Sequence, residues 1–398
     1  MDTKNKSIET SKVIFISIVA FVVIGILIYP KPVFESSKDG LLLWFNTVLP
    51  SLFPFMVGTY LLIELGIVNF MGVLFEPIMR PLFNVPGIGA FAWIMGLVSG
   101  YPIGAKITAD LRANGNITRV EAQRLITFSN NGGPLFILGA VSVGILNKPE
   151  LRLFLLFIHY LSALSMGIVF RFYKKETTCK KTFYKNLFKK ALNQIILKQK
   201  KEPKKIGLIL KESIMHSMEI IVQVGGFIIL FSVLSELLRE FLILDLLTRL
   251  LEFPFYLMGF NKDLISGLVL GIIEITNGIK ILGASSAPLY QQLALINFVI
   301  AFGGISIFTQ TLSVINHSDI KPPIYALSKI FQAILAFVYT MIFYPYIEGL
   351  THQTKMVFNL FQATYQSNIW LQTWTHICAF LCVFFILINV RMVFRRKS

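Results

Sequence analysis

Long stretches without a charged residue dominate the chain. They run 13–30, 41–63, 82–105, 125–147, 153–170, 220–235, 281–316, 330–347 and 371–390. About 20 consecutive apolar residues make one membrane-spanning helix, but several of these stretches do not fit that plan. The stretch 41–63 holds Pro50 and Pro54, and 82–105 contains Pro86-Gly87 and ends in Ser99-Gly100-Tyr101-Pro102. Ser129-Asn130-Asn131-Gly132-Gly133-Pro134 interrupts 125–147, and 281–316 is broken by Pro288 and Gly303-Gly304. Lipid cannot satisfy the N–H and C=O groups that such breaks release, so they must be buried in protein or line a cavity. Broken helices in a bundle point to a pathway.

Self-similarity sharpens the pattern. Gly96-Leu-Val-Ser-Gly-Tyr-Pro-Ile-Gly-Ala-Lys-Ile107 resembles Gly271-Ile-Ile-Glu-Ile-Thr-Asn-Gly-Ile-Lys-Ile281 with a one-residue gap. Asn131-Gly132-Gly133-Pro134 resembles Phe302-Gly303-Gly304-Ile305, and Gly40-Leu-Leu-Leu43 resembles Gly207-Leu-Ile-Leu210. The same order therefore recurs: apolar span, interfacial stretch, short hairpin, helix broken at Gly-Gly. Interrupted segments in corresponding positions of two halves mark the binding site of a secondary transporter. The fold expected is an all-α polytopic membrane protein of two inverted-topology repeats. It has about eight transmembrane helices and two re-entrant helical hairpins, 87–113 and 263–286. The expected crossings are 13–30, 41–64, 118–146, 150–170, 217–238, 287–316, 322–347 and 373–390. The domains follow: 1–40, an uncleaved first helix and loop; 41–173, the first repeat; 174–206, a basic loop; 207–347, the inverted second repeat; 348–398, a last helix and basic tail.

Composition agrees with a membrane protein. Apolar residues make up 55% and charged residues 15%, where a soluble domain carries about 25% charged. The net charge of +16 would suit a nucleic-acid binder if it were spread over a surface, but it is not. Twelve lysines between Lys174 and Lys205, against Glu176 and Glu202, supply +10 of it. A basic loop between apolar spans marks the cytoplasmic side. With that loop inside, both termini are cytoplasmic, in keeping with Arg395-Arg396-Lys397. Cys179, Cys378 and Cys382 offer neither a disulfide framework nor zinc spacing.

Three segments resemble the sporulation integral membrane protein YlbJ family over nearly the whole chain. They are Trp44-Phe-Asn-Thr-Val-Leu-Pro-Ser-Leu-Phe-Pro-Phe55, Ser99-Gly-Tyr-Pro-Ile-Gly-Ala-Lys106 and Phe128-Ser-Asn-Asn-Gly-Gly-Pro134. The resemblance implies a Gate domain of the kind found in concentrative nucleoside transporters and FeoB-type iron transporters. It also implies an endospore-forming Firmicute and a role in spore maturation and cortex formation. The specific activity it implies is movement of dipicolinate across the outer forespore membrane.

The residues around the breaks define a candidate site. Helices favour acidic residues in their first turn, yet the first charge after Pro102 is Lys106. Free N–H groups and an ammonium would then converge near Ser99, Gly100 and Tyr101, as an anion site requires. The competing role of Lys106 is an i,i+4 pair with Asp110 or snorkelling to the interface. Lys280 lies comparably after Thr276-Asn277-Gly278, and its rival partner is Glu274. Glu274 either neutralises that lysine or holds a coupling proton or sodium ion. Ser129, Asn130 and Asn131 place hydroxyl and amide groups beside backbone loosened by Gly132 and Gly133 and stopped by Pro134; they bind solute or glue helices together. Thr309, Gln310 and Thr311 follow the matching Gly303-Gly304. Thr118-x-x-Glu121 reads as a capping box, Arg124 as structural, and the five histidines as structural, without metal spacing.

There is no P-loop, His-Glu-x-x-His or Gly-x-Ser-x-Gly. The chain is thus expected to be no enzyme, to need no cofactor or metal, and to work without nucleotide hydrolysis. Its expected partners are the lipid bilayer and a small organic anion, with no nucleic acid; a homo-oligomer is open by analogy. Dipicolinate leads as substrate. A nucleoside or other neutral metabolite, and a non-transporting role in cortex assembly, are the alternatives.

Overall fold

The computed structural model describes residues 2–174, 187–201, 204–257, 259–261 and 263–367. Every regular element among them is helical. The chain divides into two units, Met1–Ile342 and Phe343–Ser398. The helix that begins at Pro322 in the first unit continues into the second, to Ser367. The expected crossing 373–390, with Cys378 and Cys382, lies outside the described residues.

The first half opens with α1 (Asp2–Ile28), which turns by 110° into α2 (Pro30–Leu43) where Pro30 begins a new helix. A π-helical turn, Trp44–Val48, leads into α3 (Leu49–Glu64). That turn lets the Trp44 indole lie against Gly225 and donate to the Ile221 carbonyl at 2.9 Å. Gly66, at φ +88°, then bends the chain by 82° into the amphipathic α4 (Ile67–Phe83). Next come α5 (Gly89–Ser99), α6 (Ile103–Ala113), α7 (Arg119–Ser129), a π-helix over Leu135–Ile145, and α8 (Arg152–Phe170). Part of the expected basic loop is a helix, α9 (Leu187–Lys201), packed on α4, with Lys198 Nζ donating to the Ile63 carbonyl at 3.0 Å.

The second half runs through α10 (Ile206–Glu240), amphipathic α11 (Ile243–Leu257), α12 (Asp263–Ile273), α13 (Ile275–Ala284), α14 (Leu289–Phe302), α15 (Gly304–Ile315) and α16 (Pro322–Ser367). Among the described residues, four helical stretches are long and apolar enough to cross a membrane: Pro149–Phe170, Ile206–Glu240, Leu289–Ile315 and Pro322–Tyr346. Counting each bent pair as one span raises the number to six. The expected crossing 118–146 is two pieces, because α7 ends at Ser129 and helical backbone resumes only at Pro134.

The packed helix pairs α5–α6 and α12–α13 fall where the two hairpins are expected, and glycine closes each of them. In the first, α5 and α6 grip the end of α7 so tightly that a methyl group on Gly96 or Gly104 would collide with the Ser129 carbonyl. In the second, a methyl group on Gly278 would collide with the Gly271 backbone across the α12–α13 contact. Each tip rests on a helix break. A Cβ on Gly100 would stand 2.6 Å from Gly133 N, and one on Gly304 would stand 3.2 Å from the Gly271 and Ile273 carbonyls.

Around the start of α7, polar anchors set the frame. Thr118 and Glu121 form the expected capping box, with bonds of 3.2 and 2.9 Å. The buried Arg124 guanidinium donates to Asn84, Tyr173 and Lys174 carbonyls, covering the ends of α4 and α8. Arg80 joins Glu76 at 2.9 Å and Glu121 at 2.6 Å.

Glycine contacts this close make a specific prediction. Gly104→Ala drives a methyl into backbone that cannot move independently, a cost of about 1–3 kcal/mol or more. Gly226→Ala, which meets nothing within 4 Å, leaves stability unchanged or slightly raised. Thermal unfolding in detergent compares the two, and equal melting temperatures would refute the hairpin packing.

Candidate functional site

The break after α7 lies in a fully buried part of the first unit. Asn130 and Asn131 are fully buried, and with Gly132 and Gly133 they leave the helical hydrogen-bond ladder. Peptide groups buried this way need partners; α8 and α16 supply two of them, and α15 and α16 hold the Asn130 side chain. The Gly132 N–H donates to His159 Nε2 on α8 at 2.9 Å. Lys329 Nζ on α16 donates to the Asn130 carbonyl. The Asn130 amide donates to Thr311 Oγ1 on α15 at 2.9 Å and to the Tyr325 hydroxyl at 2.7 Å. Asn131 donates to the Phe128 carbonyl at 2.7 Å and accepts from Gln332 at 3.2 Å.

Tyr101, at the tip of the first hairpin, closes the group from the other side. Its hydroxyl donates to the Ile300 carbonyl at 3.3 Å, just before the Gly303 break, where it lies 3.5 Å from the place a Cβ on Gly303 would take. Its ring centroid lies 5.3 Å from Lys329 Nζ, with the Tyr325 ring at 5.7 Å. Ser99 Oγ and Asn130 Oδ1 are buried without a hydrogen-bond partner among the described residues. The first-half break is thus bonded chiefly by helices of the second half, in a polar knot inside an apolar bundle.

Of the residues expected at the site, this knot gathers Tyr101, Asn130 and Asn131, with the breaks at Gly100, Gly132, Gly133 and Gly303 around it. Ser129 sits behind, bonded to Thr108 at 3.1 Å. Thr311 belongs to the knot, whereas the Thr309 hydroxyl bonds its own helix. Pro102 precedes α6, Pro134 starts the π-helix and Gly304 starts α15.

The two lysines singled out from sequence have other surroundings. Lys106 Nζ pairs with Asp110 at 2.6 Å, the i,i+4 alternative. Lys280 is exposed, with Glu274 and Asn277, on the wall of a separate cavity of about 520 Å³. Other walls of that cavity come from α2 (Glu35, Asp39) and α10 (Ser235, Glu236, Arg239). The Glu274 carboxylate caps α13, accepting from the Thr276 and Asn277 N–H groups at 3.0 and 2.8 Å. Lys329, Gln332, Tyr325 and His159 are the knot residues that sequence reasoning passed over.

Beyond the knot, a second ionic group ties the first hairpin to the loop between α15 and α16. Arg112 holds Asp319 through two bonds of 2.8 and 2.9 Å, Arg119 stands 3.8 Å away, and Asp110 meets His317 at 2.9 Å. The Arg112 hydrogen bonds, aided by the charges of Arg112 and Arg119, hold the Asp319 carboxyl below its ordinary range. A depressed carboxyl stabilises the fold above its unfolded value and stops doing so as pH falls through its folded value. Acidification below about pH 4 should therefore loosen this tie and speed amide exchange in 316–321. Because Asp319 is 42% exposed, the effect on global stability stays below ~1 kcal/mol. Asp319→Asn should remove the pH dependence, and an unchanged acid response in that variant would place its origin elsewhere.

Residues 45–174 match the Gate family model, described as nucleoside recognition. The sporulation integral membrane protein YlbJ of Bacillus subtilis (strain 168) is 35% identical over 359 residues, covering 89% of this chain and 88% of the relative. Among solved structures, CNTnw in an inward-facing substrate-bound state gives a TM-score of 0.44 at 14% identity, covering 83% of this chain and 86% of that one. A doubly substituted form of CNTnw in an outward-facing state gives 0.40 at 11% identity, with 84% and 86% covered. The identity to YlbJ, sustained along almost the whole of both chains, makes this integral membrane protein a member of the YlbJ family.

Proposed function

We propose that the protein is a secondary transporter acting in sporulation. Its cargo is a small organic anion, with dipicolinate as the leading candidate, and its place is the outer forespore membrane. The observation that carries this reading is the knot at 130–133, where a broken helix and a hairpin tip from one half meet helices of the other. Binding at the crossing of discontinuous helices is how secondary transporters hold solute within the membrane. Two inverted repeats, 41–173 and 207–347, fit the succession of long helix, amphipathic helix, hairpin, broken helix and long helix found in both. The cavity that reaches Glu274 at the second hairpin tip is the approach, and Glu274 is the candidate for coupling. The link to sporulation comes from the name of the Bacillus relative.

A second reading, a carrier of nucleosides, is favoured by the description of the Gate family. Uptake into vesicles reconstituted with the full chain separates the two. Saturable accumulation of labelled dipicolinate, not competed by uridine, is expected. Uptake of uridine without dipicolinate would replace the first reading by the second. In the same vesicles, Gly133→Leu forces a side chain against Ser99 and Gly100 backbone 3.0–3.2 Å away. It should cut uptake by at least ~10-fold, as misplacement at a binding site does, and full activity would exclude the break from the pathway.

A further inference from the structure

We propose that Lys329 is the residue that binds a carboxylate of the transported solute, an inference that rests on the anion reading above. Lys329 is the sole charged residue in 322–346. It is 2% exposed, and its ammonium lies at the 130–133 break rather than at a helix end where a lysine would reach water. An ionisable side chain inside a span is expensive to keep and marks a solute or ion path.

The surroundings of the charge define what would bind it. Among the described residues Lys329 makes no ion pair. Its hydrogen-bond acceptors are neutral, the Asn130 carbonyl and Gln332 Oε1 at 2.8 Å. An ammonium has three N–H donors, so one remains beyond these two bonds. The Tyr101 and Tyr325 faces at 5.3 and 5.7 Å ease its burial through cation–π attraction, which offsets a positive charge without neutralising it. A buried charge left in that condition is strongly stabilised by an anion brought beside it. The partnerless Ser99 hydroxyl at the hairpin tip offers a further donor to the same break.

The chemical class follows from the count of charges. One ammonium matches one carboxylate. A phosphate monoester concentrates up to two negative charges on a single group and would need a second cation at the same spot, where the lysine of the hairpin, Lys106, is committed to Asp110; a dicarboxylate separates its charges, so only one has to meet Lys329. Tyr101 adds a selection of its own. Its ring forms one wall of the charge site while its hydroxyl bridges to Ile300 beside the Gly303 break. A flat, ring-bearing carboxylic acid can take its place over the ammonium or stack against it. The site is therefore suited to aromatic carboxylates, with the second carboxylate of a dicarboxylic acid held elsewhere.

The test uses the full chain in vesicles, with pyridine-2,6-dicarboxylate as probe and its diamide and uridine as competitors. In the wild type, dicarboxylate uptake is expected to resist competition by either neutral compound. Lys329→Met should weaken dicarboxylate binding by ~100-fold or more, the size expected when a buried carboxylate loses its partner. Lys329→Arg should weaken it by less than about 10-fold because the charge persists. Gln332→Glu guards against a variant that fails to fold. It sets a carboxylate beside the ammonium with little change of shape, at the expense of the Gln332 donor to Asn131, so it should abolish dicarboxylate uptake in a protein that still folds. Wild-type affinity in both Lys329→Met and Gln332→Glu, with dicarboxylate still carried, would overturn the role of Lys329 and leave the transport reading intact. If folded Gln332→Glu retains uptake while Lys329→Met does not fold, the role is likewise overturned. Uridine uptake without dicarboxylate uptake in the wild type would overturn both.

Discussion

A stretch of non-helical backbone buried among apolar helices must find every hydrogen-bond partner in protein, and this requirement at 130–133 organises the rest of the molecule. Two of the released peptide groups, and the Asn131 side chain beside them, have distinct sources of relief. His159 takes the Gly132 N–H, Lys329 gives to the Asn130 carbonyl, and Gln332 ties Asn131. These partners sit on α8 and α16, so both helices are fixed in rotation by the break they serve. An unsatisfied group of this kind costs about 1–3 kcal/mol, comparable with a large core truncation. The knot is thus a stability element as well as a candidate binding site, and the two roles constrain the same side chains.

Glycine sets how near the hairpins can come to the breaks they face. Backbone lies against backbone at Gly96, Gly104 and Gly100 in the first half and at Gly271, Gly278 and Gly304 in the second. In membranes, close packing of small residues substitutes for the hydrophobic drive that lipid removes. It also decides where neighbouring side chains point. A residue two positions along a helix is turned by about 200°. With Gly104 against α7, Lys106 is turned away from it toward Asp110; with Gly278 against α12, Lys280 is turned out to the cavity wall.

That geometry explains what could be read from sequence and what could not. The hairpins, the Gly-Gly breaks, the capping box at Thr118 and the anchoring role of Arg124 are written in local chemistry: turn residues, spacing and charge against apolar runs. The placement of Lys106 and Lys280 depends on helix rotation, which the glycine contacts fix and a linear pattern does not display. Lys329 was hidden differently. It borders the uncharged run 330–347, so a search for uncharged stretches treats it as the end of a span rather than a charge inside one. The rule that an ionisable residue within a span is functional, applied to all of 322–347, would have marked it. His159 escaped because metal spacing was the wrong question for a ring whose partner is a backbone N–H. Helix α9 lay in a lysine-rich segment whose charge masked an apolar face that packs on α4.

The contrast between the two kinds of contact bears on how such a protein could move. Apolar helix packing is non-directional and tolerates sliding, whereas the bonds of Asn130, Tyr101 and Lys329 fix position and angle. Tyr101 touches both the ammonium on α16 and the carbonyl at Ile300, so displacement of the first hairpin tip would disturb its contacts to α14 and α16 together. Partial displacement would leave buried polar groups unpaired and would be costly. Intermediate positions are therefore disfavoured relative to fully engaged or fully released ones, which is the condition for a two-state element. A solute that supplies replacement partners for the same groups lowers the cost of release. The residues that hold the break closed are, by that argument, the ones through which a solute would open it.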